Sequence, residues 1–198
     1  MAENARIAVE DDGRIFHMAS SRGATIDDLY HVEGKAELVD GELVLMSAAG
    51  YRHGRVALRI AASLLEYENR TGFGHALPDN VGFLVDLPRR RSFSPDAAFA
   101  TQPVTDHFVD GAPVFAAEVR SQDDFGPAAE RAMAEKRADY FAAGAQVVWD
   151  VDPIGDQIVR VYRAGEPATP TVYRRGEIAE AEPALPGWSM SVDDLFPA

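Results

Sequence analysis

The stretches SPDAAFA (residues 94–100) and VFAAEVR (residues 114–120) decide the fold, because each is an apolar run of strand length that carries a carboxylate. Asp96 opens the first run and Glu118 lies inside the second. Charged residues seldom occupy buried strands unless they are paired or bind a metal. Two carboxylates brought together repel, unless one takes a proton or a cation relieves them. The pair therefore predicts a divalent-metal site, and with it hydrolytic chemistry.

The patterns around these two runs predict an alternation of helices and strands. A helix over residues 53–69 has its apolar residues at spacings of four and three, and Asp40-Gly41 predicts the tight turn of a hairpin over 36–48. The apolar face of that helix consists of Val56, Ile60, Leu64 and Tyr67. The other predicted elements are a short helix over 25–32, strands over 81–87, 92–100, 114–120, 146–151 and 157–163, a helix over 127–143, and one or two strands with an apolar cover over 171–198.

This order of elements predicts an α/β fold, a mixed β-sheet flanked by helices. We expect one domain over residues 25–198. Residues 1–24 are polar and contain glycine and serine, and we expect them to form a flexible N-terminal arm.

Lys136 is the sharpest local clue in the helix over 127–143. It lies on one face with Ala129, Met133 and Tyr140, at the centre of an apolar stripe where a lysine is out of place. In one interpretation its stem follows the edge of the core and its ammonium reaches water. In the other the ammonium points at the carboxylates of the adjoining strands. The Asp96 and Glu118 pair favours the second, because a buried lysine needs a partner.

The composition is that of a globular protein with a strong acidic balance. The 198 residues carry a formal net charge of −13 and include no cysteine, which excludes disulfides and thiolate metal sites. No apolar run reaches the roughly 18 residues of a membrane helix, and the N-terminus lacks the apolar segment of a signal peptide. These features favour a cytoplasmic protein that makes no membrane contact.

The acidity disfavours nucleic-acid binding unless basic residues are concentrated locally, since lysine and arginine supply most non-specific affinity for DNA. Arg89, Arg90 and Arg91 form the larger of two small basic clusters. A run of three arginines is usually a solvated loop. The alternative is that these arginines lie near a substrate, because they directly precede the Asp96 strand.

Each candidate site residue also has a structural interpretation. Ser-Pro-Asp is common turn chemistry, so Asp96 alone fits a turn. Glu118 fits an edge strand or an ion pair with Arg120. Glu37 fits the solvated face of its hairpin, and His53 fits a helix N-terminus with no further role.

Taken together, the motifs resemble the Uma-type restriction endonucleases, a family defined by a domain of unknown function within the PD-(D/E)xK nuclease superfamily. The resemblance covers roughly residues 25–196. Each piece is weak alone, but the ordered set is fairly specific. The pieces are AELVDGEL (36–43), HG (53–54), SPDAAF (94–99), AEVRS (117–121), KRADYFAAG (136–144) and VVWDVDP (147–153).

The resemblance implies a restriction-endonuclease-like core that binds Mg²⁺ or Mn²⁺. In such enzymes the residues matching Asp96 and Glu118, with the backbone carbonyl of the next residue (here Val119), hold the metal, and Glu37 matches an auxiliary ligand. The motif expects a lysine where this chain has Arg120, which stays protonated but can steady a phosphate. Related families move the lysine to a neighbouring helix, and Lys136 is where it would lie.

We therefore expect a metal-dependent endonuclease that acts on DNA, with His53, Arg120 and the three arginines at 89–91 as weaker candidates for substrate contact. Cutting two strands is simplest with two sites, so a homodimer is a further expectation. One alternative is a nuclease-like fold that binds or assembles without cleaving. A second is a hydrolase of a small phosphorylated substrate.

Overall fold

The computed structural model describes residues 6–9, 15–19 and 23–196, and for the first two stretches it describes the backbone alone. It contains fifteen strands and four helices in this described part. They are β1 (Arg6–Val9), β2 (Ile15–Ala19), α1 (Ile26–Tyr30), β3 (Ala36–Val39), β4 (Glu42–Met46), α2 (Tyr51–Thr71), β5 (His75–Pro78), β6 (Phe83–Leu84), β7 (Ser92–Phe93), β8 (Ala97–Ala100), β9 (Val109–Asp110), β10 (Phe115–Val119), α3 (Pro127–Ala142), β11 (Val147–Asp152), β12 (Ile158–Arg163), β13 (Glu166–Tyr173), β14 (Ile178–Glu180), β15 (Ser189–Ser191) and α4 (Val192–Leu195).

The centre of the fold is a six-stranded mixed sheet in the order β13-β12-β11-β10-β8-β5. Strands β10 and β11 are parallel and the other neighbours are antiparallel. Ala97 pairs with Ala117 across β8 and β10. Asp96 directly precedes Ala97 and Glu118 directly follows Ala117, so this register brings both carboxylates to the same end of two neighbouring strands.

Helix α2 packs on one face of the sheet. Its buried residues include the predicted face of Val56, Ile60, Leu64 and Tyr67, which confirms that prediction. The helix ends with Gly72 as its C-cap, whose φ of 66° is left-handed. The predicted apolar cover near the C-terminus is also confirmed, since Leu185, Trp188, Leu195 and Phe196 are buried in the same core.

Helix α3 packs on the other face, where Tyr140 joins a second apolar cluster with Phe93, Ala116 and Val148. The rings of Phe93 and Tyr140 stack with their centroids 3.9 Å apart. Two helices on opposite faces of a mixed sheet confirm the predicted α/β architecture.

A smaller sheet in the order β1-β2-β4-β3 carries the predicted hairpin. Asp40 and Gly41 have φ values of 52° and 76°, as a two-residue hairpin turn of mirror-image type requires. Strands β1 and β2 fall within the segment predicted as an arm, for which the sequence named no strand. The rest of residues 1–22 lies outside the described part.

Several predicted bounds are wrong. The single strand predicted over 92–100 is divided into β7 and β8, because Pro95 has no amide hydrogen to donate to a ladder. The strand predicted over 81–87 contracts to β6, and β5 was not predicted. Helix α2 begins two residues before His53. Among the described helices, none is long and apolar enough to cross a membrane.

Candidate functional site

Asp96 is locked to the neighbouring strand by its own backbone and side chain. Its amide donates to the Ala117 carbonyl at 3.0 Å, and its Oδ2 accepts from the Val119 amide at 2.7 Å. Only 3% of the residue is exposed. The break at Pro95 thus turns a strand residue into a fixed, buried carboxylate beside β10.

The other oxygen of Asp96 faces two side chains from different elements. Lys35 Nζ, just before β3, lies 2.5 Å from Asp96 Oδ1, and His53 Nε2, in the first turn of α2, lies 3.2 Å from it. Lys35 Nζ also lies 2.7 Å from Asp79 Oδ1. The ammonium of Lys35 therefore lies between two carboxylates.

This environment shifts the pKa of both Asp96 and His53. Burial raises the pKa of Asp96, but the hydrogen bond from His53 and the charge of Lys35 outweigh burial and hold it well below its usual value. Burial lowers the pKa of His53, yet the hydrogen bond to Asp96 and its charge raise it overall. His53 Nδ1 is buried and has no hydrogen-bond partner among the described residues.

Glu118 is held by residues of α3 on the same side of the sheet. Lys136 Nζ lies 2.9 Å from Glu118 Oε1, and the Tyr140 hydroxyl donates to that oxygen at 2.7 Å. Lys136 Nζ also lies 2.9 Å from Glu37 Oε1, so one ammonium bridges two buried glutamates. This arrangement matches the second interpretation of Lys136: its ammonium faces the carboxylates.

Glu37 and Arg90 form the third side of the cluster. Glu37 accepts from the Ser94 amide at 2.9 Å, and Arg90 Nη1 lies 2.5 Å from Glu37 Oε2. Arg90 also donates to Asp139 of α3 at 2.8 Å. Glu37 is therefore a buried residue of the cluster, and the interpretation that placed it on the solvated face of its hairpin is wrong.

The pKa shifts of the buried groups differ in sign. Burial, together with the charges of Asp96 and Glu37, raises the pKa of Glu118 despite the opposing charge of Lys136. Burial lowers the pKa of Lys136, but Glu118 and Glu37 raise it overall. Burial also lowers the pKa of Lys35, but the charges of Asp96 and Glu118, together with the hydrogen bonds to Asp79 and Asp96, raise it overall. Both lysines consequently stay protonated at neutral pH, and neither is suited to act as a base.

Arg120, at the position of the motif lysine, makes other contacts. It forms two hydrogen bonds with Asp150, at 2.6 and 2.7 Å, and pairs with Glu130 through both terminal nitrogens. Its side chain is 1% exposed. The guanidinium thus ties β10 to β11 and to the start of α3, and its described contacts do not include Asp96 or Glu118.

The three consecutive arginines are not a free basic cluster. Arg89 contacts Asp40 and Glu135, and Arg91 approaches Asp86 at 3.4 Å. Arg90 is 7% exposed and belongs to the Glu37 cluster. The prediction of a wholly solvated loop is wrong for Arg90, because its charge neutralises Glu37 and Asp139.

A cation could be held beside Asp96. One ligand atom each from His53, Asp79 and Asp96 lie within 4.8 Å of one another. The donors are one imidazole and two carboxylates, and carboxylate oxygens suit Mg²⁺ and Mn²⁺. The formal charges are compatible with a divalent cation. With every carboxylate ionised and His53 neutral, five carboxylates face three cations, which leaves two negative charges; the carboxylates are Asp79, Asp96, Glu37, Glu118 and Asp139, and the cations are Lys35, Lys136 and Arg90.

Sequence reasoning did not find Lys35 or Asp79, since both lie in turns outside the periodic patterns. The scarcity of lysine was the one available signal for Lys35, because the sequence contains only two lysines. In the structure the ammonium groups of both lie in this cluster.

A family model described as "Putative restriction endonuclease", the Uma2 model, matches residues 24–193. The chain belongs to the Uma2 family. The match includes every residue of the cluster from Lys35 to Asp139, which confirms the family expected from the motifs. The restriction-endonuclease-like motifs of this Uma2 chain therefore coincide with a real spatial cluster.

A solved structure supports the fold of this Uma2 protein. It is the crystal structure of a putative nuclease belonging to DUF820 from Anabaena variabilis ATCC 29413, which matches with a TM-score of 0.70 and 17% identity. The match covers 87% of this chain and 97% of that one. No curated protein matches the chain. At this identity the likeness establishes a shared, nuclease-like fold.

Proposed function

We propose that this Uma2 protein is a divalent-metal-dependent endonuclease that hydrolyses phosphodiester bonds of DNA. The observation that carries the proposal is the burial of Asp96 and Glu118 at the same end of two neighbouring strands, amid three basic side chains. Burying several carboxylates is costly unless cations balance them, so a cluster of this kind is characteristic of a functional site rather than of a core.

Asp96 would hold the metal in any version of the site. Glu118, the Val119 carbonyl and the auxiliary Glu37 are the partners expected from the motif, and His53 and Asp79 are the partners that lie nearest in the structure. A bound Mg²⁺ or Mn²⁺ would polarise the scissile phosphate and lower the pKa of an attacking water.

The residues of the chain have separate tasks in this proposal. Lys136 stays charged, orients Glu118, and offers a positive charge to the phosphoryl oxygens in the pentacoordinate transition state. If Glu118 and Glu37, and not His53, complete the metal site, His53, whose pKa is raised by Asp96, holds a proton near the reacting centre and can pass it to the leaving oxygen. Arg120 has no contact with the two carboxylates among the described residues, and it stabilises the strands that carry the site by tying β10 to β11 through Asp150. A homodimer and a cytoplasmic location remain predictions.

A second candidate function, a nuclease-like binding or assembly module without cleavage, is favoured by one specific observation. The ammonium of Lys35 already lies between Asp79 and Asp96, where a metal would bind. If Lys35 remains there, the carboxylates are neutralised without any metal.

Calorimetric titration with Mn²⁺ separates the two candidates. We would titrate the wild type, Asp96→Asn and Glu118→Gln, with Asp86→Asn as a control, because the Asp86 side chain is 91% exposed. A metal-dependent nuclease requires saturable binding that Asp96→Asn abolishes and Asp86→Asn preserves. Failure of the wild type to bind Mn²⁺, both alone and with a non-hydrolysable DNA, would establish the metal-free module.

A further inference from the structure

A groove lined by four arginines opens beside the first turns of α2. It has a volume of about 460 Å³ and lies between this helix, the loop joining β11 to β12, and the C-terminal segment. The arginines share its walls with two aromatic rings. The lining residues that matter are Arg52, Arg55, Arg59, Arg175, Tyr51 and Phe196.

Three of the arginines form a stripe along one face of α2. Positions 52, 55 and 59 are separated by three and four residues, which places them on the same side of a helix. The stripe rises about 10 Å at 1.5 Å per residue. Over such a length duplex DNA carries roughly six phosphates, at one negative charge per 1.7 Å of helix axis. The stripe therefore has the dimensions to meet several phosphates.

These guanidiniums are little neutralised by the protein itself. Arg52 and Arg55 are exposed and make no ion pair within the described residues. Arg59 donates to the Asp194 backbone carbonyl, which bears no formal charge. Arg175 lies 3.3 Å from Asp193 and also contacts Gln157. Among the residues that the structure describes, four positive charges thus face a single contacting carboxylate, on a chain whose formal net charge is −13.

The groove adjoins the candidate site through α2. His53 lies between Arg52 and Arg55 in sequence, and its imidazole contacts Asp96. The groove and Asp96 lie at the same end of the central sheet, because Pro153 of the groove directly follows β11 and Asp96 accepts from the Val119 amide at the end of β10, the parallel neighbour of β11.

We infer that this arginine groove binds the phosphate backbone of DNA and delivers a phosphodiester to the Asp96 cluster. The inference rests on the proposed function for the identity of the polymer. It also replaces Arg89, Arg90 and Arg91 as the expected DNA contact, because those three arginines are paired with carboxylates.

The test is DNA binding without cleavage. Fluorescence anisotropy of a short labelled duplex is measured in EDTA over a range of salt concentrations. The groove variant is Arg52→Gln/Arg55→Gln, and Arg89→Gln/Arg91→Gln is the control with an equal loss of charge at another exposed place. The groove variant should bind more weakly at low salt. Its slope of log affinity against log salt, which is negative, should become less steep by about 1.8, at 0.9 per lost phosphate contact. The control should keep the wild-type slope.

Two results would overturn the inference: no binding by the wild type at low salt, or equal losses in the two double variants. Thermal melting of both variants checks their folding, and a single Arg55→Lys variant, which keeps the charge, should retain the wild-type slope. The Mn²⁺ titration is independent of this assay. A wild type that binds DNA through the groove but does not bind Mn²⁺ would overturn the proposed function and uphold the DNA-binding role of the groove. A wild type that binds Mn²⁺ but shows no groove-dependent DNA binding would overturn the role of the groove alone.

Discussion

Lys35 Nζ lies 2.5 Å from Asp96 Oδ1, so a carboxylate whose pKa is held well below its usual value already has a protein cation in contact. Any metal that binds Asp96 must displace this ammonium or share the carboxylate with it. Competition between a lysine and a metal for one carboxylate is measurable, because removal of the lysine charge changes metal affinity in a definite direction.

Replacement of Lys35 by methionine should tighten Mn²⁺ binding. The substitution keeps most of the side-chain volume and frees one oxygen each of Asp79 and Asp96. We expect an increase of about tenfold in affinity, which corresponds to about 1.4 kcal/mol. Calorimetric titration measures it, with Arg91→Gln as a control that removes an exposed charge elsewhere. Weaker binding in Lys35→Met would show that Lys35 assists metal binding instead of competing with it.

Arg120 should matter for stability and not for metal binding. Its guanidinium is buried between Asp150 and Glu130, and removing one partner of a buried ion pair typically costs about 3–5 kcal/mol. Arg120→Met should lower the free energy of unfolding by that amount in urea denaturation. Arg120→Lys, which restores the lysine of the nuclease motif, should also be destabilising because a lysine cannot reproduce the two parallel hydrogen bonds.

The matched control for Arg120 is Glu130→Gln. Glu130 is half exposed, so its loss should cost no more than about 1 kcal/mol. A gain of metal affinity in Arg120→Lys would contradict the placement of Arg120 away from the site.

Glu37 should make stability depend on pH. Burial raises its pKa, but the charges of Lys136 and Arg90 lower it below its ordinary value of 4.5 overall. A lowered folded-state pKa stabilises the protein above the unfolded-state pKa, and this contribution is lost as the pH falls through the folded-state value. Glu37→Gln should therefore cost about 1–3 kcal/mol at neutral pH, and the difference from the wild type should shrink below pH 4.5.

Urea denaturation of both proteins over that pH range measures the effect of Glu37. The exposed residue Glu33 provides the control, Glu33→Gln, which should leave stability unchanged at every pH. A difference between wild type and Glu37→Gln that grows on acidification would reverse the sign and contradict the charge-paired arrangement.

Gly74 should tolerate no side chain. Its φ is 57°, and a Cβ would lie 2.4 Å from Phe99 Cε1 and 2.6 Å from the Ala100 carbonyl oxygen. Gly74→Ala should therefore destabilise the protein by about 2–4 kcal/mol, from backbone strain and overpacking together. Gly72→Ala is the matched control, because φ is similar there but no atom lies within 4 Å of the added carbon. It should cost about 1 kcal/mol. Equal effects on Tm would show that β5 does not approach β8 as described.

The sequence predicted those parts of the fold that follow from periodicity. The spacing of Val56, Ile60, Leu64 and Tyr67 gives the buried face of α2 directly, since a helix repeats every 3.6 residues. The intrusion of a glutamate into a buried strand, and of Lys136 into an apolar stripe, likewise predicted their burial together.

Contacts between turns could not be predicted in this way. Lys35 and Asp79 are 44 positions apart in the sequence and meet only because the start of β3 and the end of β5 both lie near Asp96. Arg90 has the same explanation. In the sequence it is the middle of a polar run, and only the pairing of that run with β3 turns its side chain toward Glu37.

Because both lysines lie in one buried cluster, their chemical reactivity can be used to follow the candidate site. Each lysine side chain is only 15% exposed, so amine-reactive labels should modify the folded chain slowly except at its terminal amine. In mass spectrometry of the labelled protein, every label on a lysine would then report on the candidate site. Labelling of Lys35 and Lys136, followed separately, would show how tightly each half of the cluster is closed, without any mutation or substrate.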